Sequence, residues 1–179
     1  MWFIWLSGPP EVRGAARYNL ALCRRELGQA DDARQELQRY GAEFPSGPLA
    51  APAACALADL DAAAGRLDAA VAGFERALSL EPGAALAAEA AFRLGRCREQ
   101  QGDTTAALRA YGEASRCPEL GQPYRLSSLA RLAGLHEARR QYTRALVAYR
   151  DIVQNSKDRE LIAAASDRVT QLSAAKRRR

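Results

Sequence analysis

A glycine stands at positions 28, 65 and 102 of the sequence, and the residues around each of them repeat. The spacing is 37 residues, and a fourth, weaker copy aligns with Arg140 in the glycine slot, 38 further on. Seven positions before each anchor lies a small residue, Ala21, Ala58, Gly95 or Ala133, preceded by a leucine, Leu20, Leu57, Leu94 or Leu132. Five positions after it stands an alanine every time (Ala33, Ala70, Ala107, Ala145), and nine after it a bulky side chain (Leu37, Phe74, Tyr111, Tyr149). Tyr40, Ala77, Ala114 and Val153 follow for the first three units at twelve, and for the fourth at thirteen, while Pro45 and Pro82 close the first two copies. Self-similarity at this period marks stacked supersecondary units, each unable to bury its apolar face alone.

The spacing has a mechanical reading. Apolar residues make up 48% of the chain but aromatics only 7%, so the interior must come from close helix contact rather than from large side chains. A leucine beside a small residue on one helix lets the next helix approach closely. The glycine ends the first helix with a positive φ, Asp68 and Asp103 are placed to cap the second, and the proline stops the unit. The alanine slot then faces the small residue, with the bulky residue one turn further along the same side.

These slots resemble the tetratricopeptide repeat, a helix-turn-helix unit of about 34 residues with small, small, aromatic, small and proline at these positions. The resemblance covers residues 14 to 158. The fourth copy departs from it, lacking the glycine and the proline and carrying His136 where the family often has tyrosine. The resemblance implies an all-α fold, a right-handed superhelical solenoid of about four units. The array is expected over 11–158, with units at about 14–47, 51–84, 88–121 and 126–158. A short apolar segment precedes it over 1–10, a capping helix follows over 159–173, and a basic tail occupies 174–179. In the cap, Leu161, Ile162, Ala165, Val169 and Leu172 share one face, as the closing helix of a stack requires, so the array is expected to end there. The linkers "FPSGPLAAPA" and "EPGAALAAEA" look like the bacterial envelope branch of the family, the Tol-Pal-associated periplasmic repeat proteins. Abundant Arg and Ala beside only two lysines, Lys157 and Lys176, also suggest a bacterial source.

Composition narrows the functional classes. The formal charge is +5, but four positive charges are the terminal Lys176 to Arg179, which leaves a nearly neutral body. Cys23, Cys55, Cys97 and Cys117 form no C-x-x-C pair, and the chain has one histidine, so neither a metal site nor a cofactor is expected. Cys23 and Cys97 occupy equivalent slots and read as small buried hydrophobes. The apolar run Trp2 to Leu6 is too short to span a membrane and lacks the features of a signal peptide. It reads either as a plug over the first helix or as the remainder of a longer anchor. The chain reads as cytoplasmic as given, and as periplasmic or membrane-anchored if its start is truncated.

No enzyme is expected. His136 falls inside a helix pair, no nucleophile and acid can be assembled around it, and Asp31 and Asp32 sit where a helix begins. The resemblance instead implies a scaffold or adaptor whose concave groove, lined by first helices, binds a peptide or a partner helix. Transferring the groove positions gives Tyr18, Asn19, Leu22 and Arg25, then Cys55, Ala56 and Asp59, then Phe92, Arg93, Arg96 and Glu99, and Arg131. Tyr18 and Phe92, taken as exposed beside arginines, are of the type that anchors interfaces. A clamp for the acidic end of heat-shock chaperones is disfavoured: of Tyr18, Leu22, Ala56, Glu89 and Arg93 only Arg93 matches, and Glu89 would repel a carboxylate. Nucleic acid in the groove is disfavoured because Arg25, Arg93, Arg96 and Arg131 alternate with Glu26, Asp59, Glu89, Glu99 and Glu137. Two other roles stay open: a structural part of a bacterial cell-envelope assembly, and weak binding of nucleic acid or acidic lipid through the basic tail. No small-molecule substrate is expected.

Overall fold

The computed structural model describes residues 9–119 and 122–177, and every regular element among them is an α-helix. They are α1 (Pro10–Glu26), α2 (Ala30–Glu43), α3 (Ala50–Ala63), α4 (Leu67–Ser79), α5 (Ala84–Gln100), α6 (Thr104–Ser115), α7 (Pro123–Ala138), α8 (Tyr142–Asn155) and α9 (Arg159–Arg177). Consecutive helices pair as hairpins, α1 with α2, α3 with α4, α5 with α6 and α7 with α8. The chain divides after Pro82 into two compact regions. Within the first, α2 also packs on α3; within the second, α7 packs on both α6 and α5, and α9 on α8.

All four hairpin turns are closed in the same way. The amide of the anchor residue donates to the carbonyl three before it, and the next amide donates to the carbonyl five before: Gly28 to Arg25 and Gln29 to Arg24, Gly65 to Ala62 and Arg66 to Asp61, Gly102 to Glu99 and Asp103 to Arg98. This double closure needs a left-handed residue at the anchor, and the glycines supply it with φ of 75°, 73° and 80°. In the fourth turn Arg140 takes the same part at φ 56°, donating to Glu137, while Gln141 donates to His136. The turn therefore survives without its glycine, with an L side chain in a costly conformation.

The repeated slots form the interior. Ala33, Ala70, Ala107 and Ala145 are each 0% exposed, and Ala21, Ala58, Gly95 and Ala133 are buried too. Leu37, Phe74 and Tyr111 fill the bulky slot in full burial, whereas Tyr149 in the fourth hairpin is half-buried. Gly95 has a specific reason to lack a side chain: a Cβ there would lie 2.6 Å from the Tyr111 ring. In α9, Ala165 and Leu172 are buried and Leu161, Ile162 and Val169 half-buried, as the expected apolar face requires. The helix runs past the expected boundary, through Arg177.

Two expectations need correction. Asp103 caps α6, its carboxylate accepting from the Ala106 amide at 2.9 Å, but Asp68 lies inside the first turn of α4, where Arg66 is the cap residue and its side chain makes no capping bond. Asp68 stands three residues after its glycine and Asp103 one, so only the second reaches the cap position. Cys97 is buried, and desolvation raises its thiol pKa, yet Cys23 in the equivalent slot lies on the solvent side of α1. Two carboxylates are buried in the first region. Glu36 accepts from Arg17 at 2.9 Å, Arg39 at 3.1 Å and Arg24 at 3.5 Å, and Asp61 from Arg34 and Arg66, both at 2.8 Å. Most of the N-terminal apolar segment, residues 1–8, and the last two residues of the basic tail lie outside the described residues.

Candidate partner-binding surface

The proposed groove residues fall on first helices in both regions, and each region holds its own share differently. In the first, Asn19 and Arg25 are exposed, and Arg25 pairs with neighbouring Glu26 at 3.1 Å. Tyr18 is not an exposed anchor. It is half-buried and meets the ring of Tyr40 edge-on at 6.4 Å, and Leu22 packs against the same core. Cys55 is 3% exposed, with Ala56 also buried beside it, so Cys55 offers no thiol to a partner; Asp59 is half-buried.

The second region presents a more developed surface on α5 and α7. Phe92, expected to be exposed, is half-buried between two tyrosines, with ring centroids 5.7 Å from both Tyr111 and Tyr124. The Arg93 guanidinium stands over the Tyr124 ring, 5.8 Å from its centroid, donates to the Tyr124 hydroxyl at 3.2 Å and pairs with Glu89 at 2.6 Å. Stacked on an aromatic ring and bonded at two points, Arg93 is fixed in place. Glu99 accepts from the Tyr111 hydroxyl at 2.7 Å and faces Arg131 at 3.7 Å. Burial first, then the bond to Glu99 and its charge, push the Tyr111 phenol well above its ordinary pKa. Arg96 is exposed and Arg131 about half so.

Tyr111 and Tyr124 escaped the reading of the groove from sequence. A signal for the first was present: Glu99 precedes the Gly102 anchor by three residues and Tyr111 follows it by nine, and Glu137 and Tyr149 repeat both offsets around Arg140. The second pair bonds likewise, Tyr149 donating to Glu137 at 3.3 Å, and Arg168 of α9 completes it as Arg131 completes the first. Where Leu37 and Phe74 fill the bulky slot, no hydroxyl needs a partner, and Arg25 and Ala62 stand in place of the glutamates. His136 bonds through Nδ1 to the Gln141 side chain at 2.7 Å, within its own hairpin, in keeping with the structural role read from sequence.

The near-neutral body conceals an asymmetry. Residues 1–82 carry 8 arginines against 11 acids, and residues 83–179 carry 18 lysines and arginines against 10 acids, net −3 and +8. No helix among the described residues is long and apolar enough to cross a membrane.

Helical hairpins closed by left-handed turns and nested through small residues at a fixed period define a helical repeat protein. Two family models, both for the tetratricopeptide repeat, match residues 15–47 and 55–120, together more than half of the chain. The chain belongs to the tetratricopeptide repeat family. Its fold is similar to that of the MamA protein (TM-score 0.69, 15% identity, covering 91% of this chain and 82% of that one). It is equally similar to that of YrrB, described as a TPR protein with an unusual peptide-binding site (TM-score 0.69, 15% identity, covering 91% and 77%). A putative kinesin light chain of Podosopora anserina with nearly identical TPR-like repeats matches with TM-score 0.66 and 18% identity, covering 96% and 90%. No curated protein matches the sequence. These likenesses establish the repeat and its fold, which typically serves as a non-catalytic scaffold for protein partners; they lend no support to a Tol-Pal-associated branch.

Proposed function

We propose that this protein is an adaptor whose first helices α5 and α7 take up an extended peptide or a helix of a protein partner. The observation that carries this reading is the cluster of Phe92, Tyr124 and Arg93, held rigid by stacking and hydrogen bonds while still partly open to solvent. Aromatic and arginine side chains fixed in advance lose little entropy on binding and are the residues that dominate interface energies. A likeness to a peptide-binding repeat protein agrees with it. Amide hydrogen exchange on the full chain, with and without a captured partner, tests the assignment. Added protection should concentrate in α5 and α7; protection confined to α6 and α8 would refute it.

A further inference from the structure

We infer that the α5–α7 surface selects an acidic polypeptide segment, engaged by Arg96 and Arg131. The inference rests on the reading of this surface as a partner-binding site, and it adds the chemistry of the partner.

The acids on this surface are already occupied. Glu89 is held by Arg93 at 2.6 Å, and Glu99 by the Tyr111 hydroxyl at 2.7 Å with Arg131 at 3.7 Å. The repulsion that Glu89 would exert on a carboxylate is thus largely cancelled by its own partner, and an incoming cation would have to displace internal donors. The arginines are differently placed. Arg96 is exposed and makes no ion pair among the described residues, and Arg131 keeps most of its donors free beyond one long contact. A guanidinium offers five N–H donors in a planar fork that matches a carboxylate. Both arginines lie near enough to the Tyr111 hydroxyl to act on it electrostatically.

Two further observations agree. The region that holds this surface carries a net charge of +8, and +4 even without the four basic residues at its end. One turn along α7 from Arg131 stands Gly134, exposed, with open space where its Cβ would be. Neither a turn nor close packing requires a glycine there, and mid-helix it is less stable than alanine. It leaves a bare stretch of helix beside Arg131 along which an extended backbone could lie.

The test is a selection from a library of random twelve-residue peptides against the full chain, repeated with Arg96→Glu and with Arg109→Glu, an exposed change of equal charge on α6. The expected result is enrichment of peptides rich in Asp and Glu, whose affinity falls about tenfold or more in Arg96→Glu and stays nearly unchanged in Arg109→Glu. Equal losses in both variants would overturn the inference, because the effect would then follow net charge rather than this surface. Enrichment of neutral or basic peptides that bind α5 and α7 would overturn the acidic preference and leave the adaptor reading standing. No enrichment, or displacement of every selected peptide by single-stranded nucleic acid at equal concentration, would overturn both.

Discussion

The two regions treat their carboxylates in opposite ways. In the first, Glu36 and Asp61 are buried at 5% and 4% exposure, each neutralised by two or three arginines drawn from different parts of the sequence. In the second, Glu99 and Glu137 are partly open, and each is shared between a tyrosine of its own hairpin and one arginine of a following helix. The first arrangement consumes the region's positive charge internally. The second leaves arginines unspent on the surface. Similar backbones therefore produce an acidic region that buries charged pairs and a basic one that leaves arginines exposed, as the proposed binding surface requires.

Several substitutions would break or sharpen this contrast. Phe74→Ala, in the fully buried bulky slot of the first region, should lower stability by about 3 to 5 kcal/mol in denaturant unfolding. An effect below 1 kcal/mol would mean that the slot is not core. Gly95→Ala in the second region should cost about 1 to 3 kcal/mol, because the new methyl meets the buried Tyr111 ring. A neutral outcome would show that the ring yields. Tyr111→Phe removes the bond to Glu99 but keeps the ring, so near neutral pH it should cost only about 1 kcal/mol.

Tyr111 also carries a pH signature. Its phenol ionises at a higher pH in the folded chain than the usual value of 10.0, so the folded state binds more protons than the unfolded state above that pH. Stability is then complete below about pH 10 and declines as pH rises further, by up to ~1.4 kcal/mol per pH unit for each such group. The decline should be shallower in Tyr111→Phe, and identical slopes in denaturant titrations between pH 9 and 11 would contradict it. The smallest expected effect is a change of sign between equivalent turns. Arg140→Gly should stabilise by about 1 kcal/mol, and Gly65→Arg should destabilise by a similar amount, since both positions have a positive φ. Melting temperatures that shift in the same direction would disprove the equivalence.

Much of the fold was legible because short-range geometry dictates it. Gly28, Gly65 and Gly102 mark turns that need a positive φ, and the alanine five residues after each anchor, Arg140 included, marks a fully buried point of the interior. Burial that depends on distant partners was not legible. Glu36 looks like a surface acid until Arg17, 19 residues away, is folded onto it, and Asp61 until Arg34 arrives from 27 away. Of the proposed groove residues, Phe92, Arg93, Arg96 and Glu99 lie on α5 and Arg131 on α7 of the second region, whereas Cys55 is buried, and nothing in its own helix pattern reveals what covers it. Tyr124 was missed because its slot, unlike that of Tyr111, repeats no other aromatic.

The links from Tyr111 through Glu99 to Arg131, and from Tyr149 through Glu137 to Arg168, recur with spacings of 38, 38 and 37 residues. A duplicated segment of that length, spliced in at the same phase, would bring its own donor and acceptor to each new joint. Elongation of this scaffold by whole modules would then require no invention at the seams.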